Sequence, residues 1–351
     1  MKKIIYSFGI CLITSQLHAQ MVNSTELYIG EGAIMSVGMD VVNEGKLINN
    51  GKVHLQKNLE NQNSLSSTGV MVFDGNDKQV IKGSKELSLG QVMIENDIKL
   101  EVPLRINELA SFRRGVIESN SLNPLIFAEK ANHNGISDFS HAKGVVKKEG
   151  NESFEFPLGD GSNLRSFNVA NANESQILTA EYVYRSPMHI SGEVSEEVEA
   201  IDDTEYWSLR SASTKGSAKV SVNQESDLNE IAFLKRGTWE MTNDAKLSST
   251  TDLSNGTLFT LAKSKSVKAA IGVYPNPTEG EFNLKLSGMN DSEKISVDIV
   301  NQDGTRLLHK EGTVKELRRV YQLPSSLPAT ELTVRVLRGE NSMTEKMILK
   351  K

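Results

Sequence analysis

Two histidines, an acidic turn-like tetrapeptide and an acidic run are the residues whose types and spacing come nearest to chemistry. His133-Asn134-Gly135-Ile136-Ser137-Asp138-Phe139-Ser140-His141 carries two imidazoles and a carboxylate. Zinc needs convergent ligands such as the helical His-Glu-x-x-His pair, and this segment reads instead as a polar loop. Calcium collects several oxygens from a flexible loop. Asp160-Gly161-Ser162-Asn163 and the acids Glu193, Glu196, Glu197, Glu199, Asp202, Asp203 and Glu205 are the sources on offer, without an Asp-x-Asp-x-Asp-Gly loop among them. Asp160-Gly161 reads first as a turn and the acidic run as a solvated loop, so no cofactor is expected and calcium stays the one alternative. No Gly-x-Ser-x-Gly elbow or glycine-rich loop entering a helix announces hydrolase or nucleotide chemistry. A glycosidase needs only two carboxylates that meet in space, which spacing does not test; a polysaccharide-degrading enzyme is therefore kept as an alternative.

The elements that would position these groups are strands. Short alternating runs bounded by Gly, Asn, Asp and Ser recur along the chain, and sustained helical periodicity is rare, which is an all-β pattern. Asn43-Glu44-Gly45-Lys46-Leu47-Ile48 leads directly into Asn49-Asn50-Gly51-Lys52-Val53-His54, a six-residue step that keeps Asn, Gly, Lys and an aliphatic in phase. Asn and Gly tolerate tight corners, so residues 20–146 are expected to form a solenoid-like β region, with an ordinary β-meander as the alternative. Residues 147–265 carry strand-like runs spaced as in a β-sandwich. They also hold the only tryptophans, Trp207 and Trp239, read as core anchors in preference to an exposed, ligand-contacting glycan platform. A Lys/Ser-rich linker follows, and the pattern restarts at Ile271 for a last domain within 266–351.

Residues 1–19 read as a signal peptide: Lys2 and Lys3 precede an apolar stretch from Ile4 to Ile13, and Leu17-His18-Ala19 ends in a small residue before Gln20. That stretch is too short to span a bilayer, and no later segment is apolar enough, so a chain that is not membrane-spanning is expected. The single cysteine, Cys11, falls inside the leader, which removes disulfides and thiol chemistry from the mature protein. Formal charge is −6 and becomes more negative without Lys2 and Lys3. With basic residues scattered and no basic stripe, no nucleic-acid partner is expected.

Near the C-terminus, Val273-Tyr274-Pro275-Asn276-Pro277-Thr278-Glu279-Gly280-Glu281-Phe282-Asn283-Leu284 closely resembles the opening of the type A sorting domain of type IX secretion substrates, secreted surface proteins of Bacteroidota. Pro275 and Pro277 each fix a backbone angle and hold Asn276 extended. Gly280 permits a turn, and Phe282 starts an alternating strand. Asp303-Gly304 then marks a hairpin, Leu332-Val334-Val336 alternates again, and Met347 to Lys351 supplies a final short strand. The family's usual Gly-x-Tyr is replaced by Thr330-Glu331-Leu332, so normal processing is not assumed. The resemblance implies a small antiparallel β-sandwich that engages the type IX secretion machinery, carries the body across the outer membrane, and is then commonly removed. Phe154-Glu155-Phe156-Pro157-Leu158-Gly159-Asp160 and Glu205-Tyr206-Trp207 resemble pieces of gliding- and adhesion-associated surface proteins. Together these imply a non-enzymatic, secreted or cell-surface structural or adhesion-accessory protein, partnered by a larger surface adhesin or an envelope glycan. A carbohydrate-binding module is the other alternative.

Overall fold

The computed structural model describes residues 19–170, 176–212, 218–223, 227–242, 247–250, 256–265, 269–339 and 341–351; the expected leader lies, but for Ala19, outside them. The chain divides into two compact units, one reaching Ser264 and the other starting at Lys265.

The first unit opens as a parallel β-helix. Its first coil is β1 (Gln20–Asn23), β2 (Glu26–Ile29) and β3 (Ile34–Val37); the second is β4 (Asp40–Asn43), β5 (Lys46–Asn49) and β6 (Lys52–Leu55); the third is β7 (Leu59–Asn61), β8 (Ser64–Ser67) and β9 (Val70–Phe73). In the next two coils, β10 (Gln79–Gly83) with β11 (Leu87–Ile94) and β12 (Ile98–Leu100) with β13 (Leu104–Phe112), one long strand takes the place of two short ones. The helix ends with β14 (Ile117–Glu118), β15 (Leu125–Phe127), β16 (Asn132–Asn134), β17 (Ala142–Lys143) and β18 (Val145–Gly150). Each strand lies parallel to its counterpart one coil away, as Met21, Val41, Leu59 and Ile81 do in one row. Among the described residues, no two of the strands β1 to β18 pair antiparallel with each other, as a meander would require. The six-residue step is one side of a coil, a four-residue strand plus a two-residue corner, so three sides complete a turn.

Alternation explains the interior, because every second side chain of a strand points to one face. Val37, Leu55, Phe73, Ile94 and Phe112 stack in one buried row across β3, β6, β9, β11 and β13, each contributing about 1.5–3 kcal/mol of burial. The corners are as constrained as the core: a Cβ on Gly69 would sit 2.0 Å from the Gly51 carbonyl oxygen, so stacked coils leave room there only for glycine. Where the corner holds asparagine, the amides form a ladder. Asn23 Nδ2 donates to Asn43 Oδ1 and Asn43 Nδ2 to Asn61 Oδ1, both at 2.7 Å, and Asn43 Nδ2 also donates to the Ser64 carbonyl.

The sandwich grows out of the β-helix without a break. It contains β19 (Phe154–Phe156), β20 (Phe167–Ala170), β21 (Gln176–Val183), β22 (Glu193–Val194), β23 (Val198–Ile201), β24 (Tyr206–Ser211), β25 (Ala218–Val222), β26 (Glu230–Lys235), β27 (Thr238–Met241), β28 (Leu247–Thr250) and β29 (Thr257–Ser264). The anticipated boundary at 146/147 falls within β18, which pairs in parallel with β15 on one edge and antiparallel with β21 on the other. From there one sheet continues through β24, β29, β26, β27 and β22, and a four-stranded sheet, β19-β20-β25-β28, packs against it. The acidic run, expected to be loop, instead contains β22 and β23: Val194 pairs with Trp239, and Val198, which is buried, pairs with Ser264. Of these two strands' side chains only Val198 is buried, with Ile201 partly buried against the Trp239 cluster.

The second unit is a small antiparallel sandwich of β30 (Ala270–Tyr274), β31 (Glu281–Ser287), β32 (Lys294–Val300), β33 (Arg306–Thr313), a one-turn helix α1 (Val314–Leu317), β34 (Val320–Gln322), β35 (Thr330–Arg338) and β36 (Asn341–Leu349). One sheet runs β30-β31-β34 and the other β33-β32-β35-β36. Phe282, Leu284, Val297, Ile299, Tyr321, Val334, Val336 and Met347 fill the space between them.

Candidate functional site

The C-terminal motif is a clasp on the last strand. Both Tyr274-Pro275 and Asn276-Pro277 bonds are cis, and the chain between them lies along the free edge of β36. Asn276 Nδ2 donates to the Lys346 carbonyl at 2.7 Å and its Oδ1 accepts from the Ile348 amide at 2.9 Å. The Thr278 amide donates to the Ile348 carbonyl, and the Lys350 amide donates back to the Thr278 carbonyl. β36 is thus bonded along one edge by β35 and along the other by Asn276 and Thr278. Gly280 turns the chain at φ 120°, a conformation open chiefly to glycine, so that Phe282 enters the core fully buried while Tyr274 stays exposed. The last strand is longer than expected, because Gly339 follows the first of two nine-residue strands that pair along their whole length, Thr330 with Leu349 through Arg338 with Asn341. Where the family's Gly-x-Tyr is missing, Glu331 pairs with Lys346 at 2.8 Å and Leu332 is buried.

Asp303-Gly304 lies in the loop between β32 and β33, as the sequence indicates, but the loop is wider than a two-residue turn. Asn301 Oδ1 accepts from the Asp303 and Thr305 amides, and Gly304 has φ 81°. On the outer face beside it, His309 Nδ1 lies 2.6 Å from Asp298 Oδ1, and Nε2 lies 3.1 Å from Glu311 Oε1. The bond to Asp298, then that to Glu311, raises the His309 pKa above its ordinary 6.5. A raised folded pKa stabilises the unit fully below the unfolded value and loses that effect as pH rises through the folded value. His309→Gln is expected to speed hydrogen exchange in β32 and β33 at about pH 5.5 and to change little at about pH 9. Equal acceleration at both values would contradict this assignment.

Both tryptophans are fully buried, which corrects their candidacy as ligand-contact aromatics: neither presents a ring face to solvent. Trp207 stacks at 6.4 Å on Phe167 and donates from Nε1 to the Arg165 carbonyl at 2.9 Å. Trp239 packs on the opposite face of the sheet with Ala232 and Ala262 and donates to the Ser191 carbonyl. Beside Trp207, the Glu205 carboxylate is 2% exposed; its Oε2 accepts from Arg165 Nε at 3.0 Å and from the Tyr182 hydroxyl at 2.5 Å. Burial, reinforced by that carboxylate, pushes the Tyr182 phenol well above its usual range. This charge centre escaped sequence reasoning because Glu205 stood in an apparently solvated acidic run.

The histidine pair is not brought together as ligands. His133 caps an inward row of the β-helix, edge-on to Phe112 and Phe154, and its Nε2 donates to the Glu155 carbonyl at 2.6 Å. Burial lowers its pKa. His141 accepts at Nε2 from the Gly161 amide and donates from Nδ1 to the Ser137 carbonyl. Asp160 Oδ1 accepts from the Ser162 and Asn163 amides, forming the expected turn. Among the described residues no group of three or more His, Cys, Asp or Glu side chains is arranged to hold a metal ion. Phe154 and Phe156, from the Phe-Glu-Phe-Pro-Leu-Gly-Asp motif, pack at the β-helix end with Phe127. Lys148, only 3% exposed, continues the inward row of Leu89, Ile106 and Phe127 and donates to the Ala128 and Glu129 carbonyls. Burial lowers its pKa too. These polar residues close a hydrophobic stack.

Among the described residues, no helix is long and apolar enough to cross a membrane. No curated protein matches the chain. Residues 272–350 match the family described as the secretion system C-terminal sorting domain, and the chain therefore ends in a type IX sorting domain that implies export to the cell surface or the extracellular space.

Proposed function

We propose that the exported body is a non-enzymatic structural or adhesion-accessory protein of the cell surface, which joins a larger, strand-presenting adhesin through the first coil of its β-helix. The observation that carries this reading is the open edge of that coil. Among the described residues, no strand pairs with the outer edges of β1, β2 or β3. Residues 20–39 contain no Lys, Arg or Pro, the residues that commonly protect an edge from strand addition. Tyr28 and Ile34 are 59% and 71% exposed, whereas Ile48, opposite Tyr28 one coil on, is half-buried. The resemblance of the 154–160 and 205–207 motifs to adhesion-associated proteins supports the same reading. So does the use of Glu205, His133, His141 and Lys148 as internal supports.

Cross-linking mass spectrometry on intact cells tests it. Cross-links from Lys46 and Lys52, next to the open coil, are expected to reach one large surface protein. The Tyr28→Lys/Ile34→Lys double variant is expected to lose them without a fall in melting temperature. Unchanged cross-links in that variant, or cross-links confined to the sandwich, would overturn the reading.

A further inference from the structure

The outer face of the sandwich sheet carries a groove of about 640 Å³ lined by Val145, Lys147, Thr179, Glu181, Ser208 and Arg210, with Leu234 and Leu258 forming an apolar wall. The volume is that of a small-ligand site. Register places its polar groups in two rows. Lys147, Thr179 and Arg210 are directly opposed across β18, β21 and β24, and Val145, Glu181, Ser208 and Leu258 form the next row. With neighbouring strands about 4.8 Å apart, the Lys147 and Arg210 backbones lie about 10 Å apart with the Thr179 hydroxyl between them, and the second row lies about 7 Å along the strands.

The charges in this groove are unmatched. Several lysines and arginines of the unit pair with acids, as Lys57 does with Asp77, Lys99 with Glu101, Arg105 with Glu149 and Lys263 with Glu199. Among the described residues, Lys147, Arg210 and Glu181 have no ion-pair partner. Burial alone raises the Glu181 pKa, with no cation close enough to oppose it.

We propose that this groove binds an acidic glycan, an oligosaccharide carrying carboxylate or sulfate groups. The acid group sits between Lys147 and Arg210, ring hydroxyls donate to Glu181 and exchange hydrogen bonds with Thr179 and Ser208, and an apolar ring face lies on Leu234 and Leu258. An acidic peptide fits less well. The strands flooring the groove are paired on both edges, so a peptide backbone finds no free ladder, and Glu181 repels a dense row of carboxylates. The site is remote in sequence from the first coil and independent of its occupant.

Titration calorimetry of the full chain against uronate oligomers, sulfated oligosaccharides, neutral glucan oligomers and poly-glutamate tests the proposal. One or both acidic glycans are expected to bind, more weakly as salt is raised, and the pair of arms identifies which acid is taken. Lys147→Gln/Arg210→Gln is expected to weaken binding at least tenfold, and Glu181→Gln severalfold, with melting temperatures unchanged. Failure of both acidic glycans to bind, equal binding of neutral glucan, tighter binding of poly-glutamate, or full retention by the double variant would each overturn it.

Discussion

Replacing Trp207 by alanine is expected to destabilise the first unit by about 3–5 kcal/mol, the range for truncating a large aromatic in a packed core. The indole is fully buried against Phe167 and Tyr182. Its removal opens a cavity and leaves the Arg165 carbonyl without its Nε1 donor, and an unsatisfied buried acceptor costs about 1–3 kcal/mol by itself. The same Arg165 holds Glu205, so the charge centre loosens with the ring. Trp207→Phe refills most of the volume and should lose less. Tyr184→Ala, at an exposed ring, should stay within about 0.5 kcal/mol of the parent. Urea unfolding of the three variants measures the difference. An unchanged midpoint for Trp207→Ala would mean that the ring is not the anchor its contacts indicate.

The second large effect belongs to the asparagine ladder. Asn43→Leu keeps the branched shape and the number of side-chain heavy atoms but removes an acceptor from Asn23 and donors from Asn61 and the Ser64 carbonyl at once. With each orphaned group costing about 1–3 kcal/mol, a loss of about 3–5 kcal/mol is expected. Asn50→Ala, at a half-buried corner where the amide bonds to Tyr28 and Thr68, should cost under about 1 kcal/mol. Because ladder members polarise and position one another, a double-mutant cycle of Asn43 with Asn61 should show a coupling of about 1 kcal/mol or more. Strict additivity would indicate independent amides.

Much of this architecture was legible in the chain, at the level of one strand and one corner. The Asn-x-Gly-Lys step marks the sides of the coils, and the ladder itself is spelled out by Asn23, Asn43 and Asn61, spaced 20 and 18 residues apart. The coil length was harder to read because corners vary: Val41 faces Leu59, but Ile117 faces Ala142. Alternation is the same for parallel and antiparallel neighbours, so nothing in Val145–Gly150 announces that this strand joins the two arrangements. The tail was readable in finer detail, since Pro275 and Pro277 fix backbone angles and Gly280 admits the turn that follows them. Even there, the helix α1 went unread, although Thr313 and Glu316 form a capping box around it. Lys148 and Glu205 were opaque for another reason. Side chains of their type are rarely buried, and only the fold supplies the carbonyls, the arginine and the phenol that make their burial tolerable.

Export through the C-terminal sorting domain is tested most directly by fractionation and surface proteolysis of cells with working type IX secretion, expressing either the full chain or a chain ending at Ser264. The body of the full chain should be found on the surface or in the medium, and the shortened chain should be held in the periplasm. Equal arrival of both at the surface would show that residues 265–351 are not what sends this protein out.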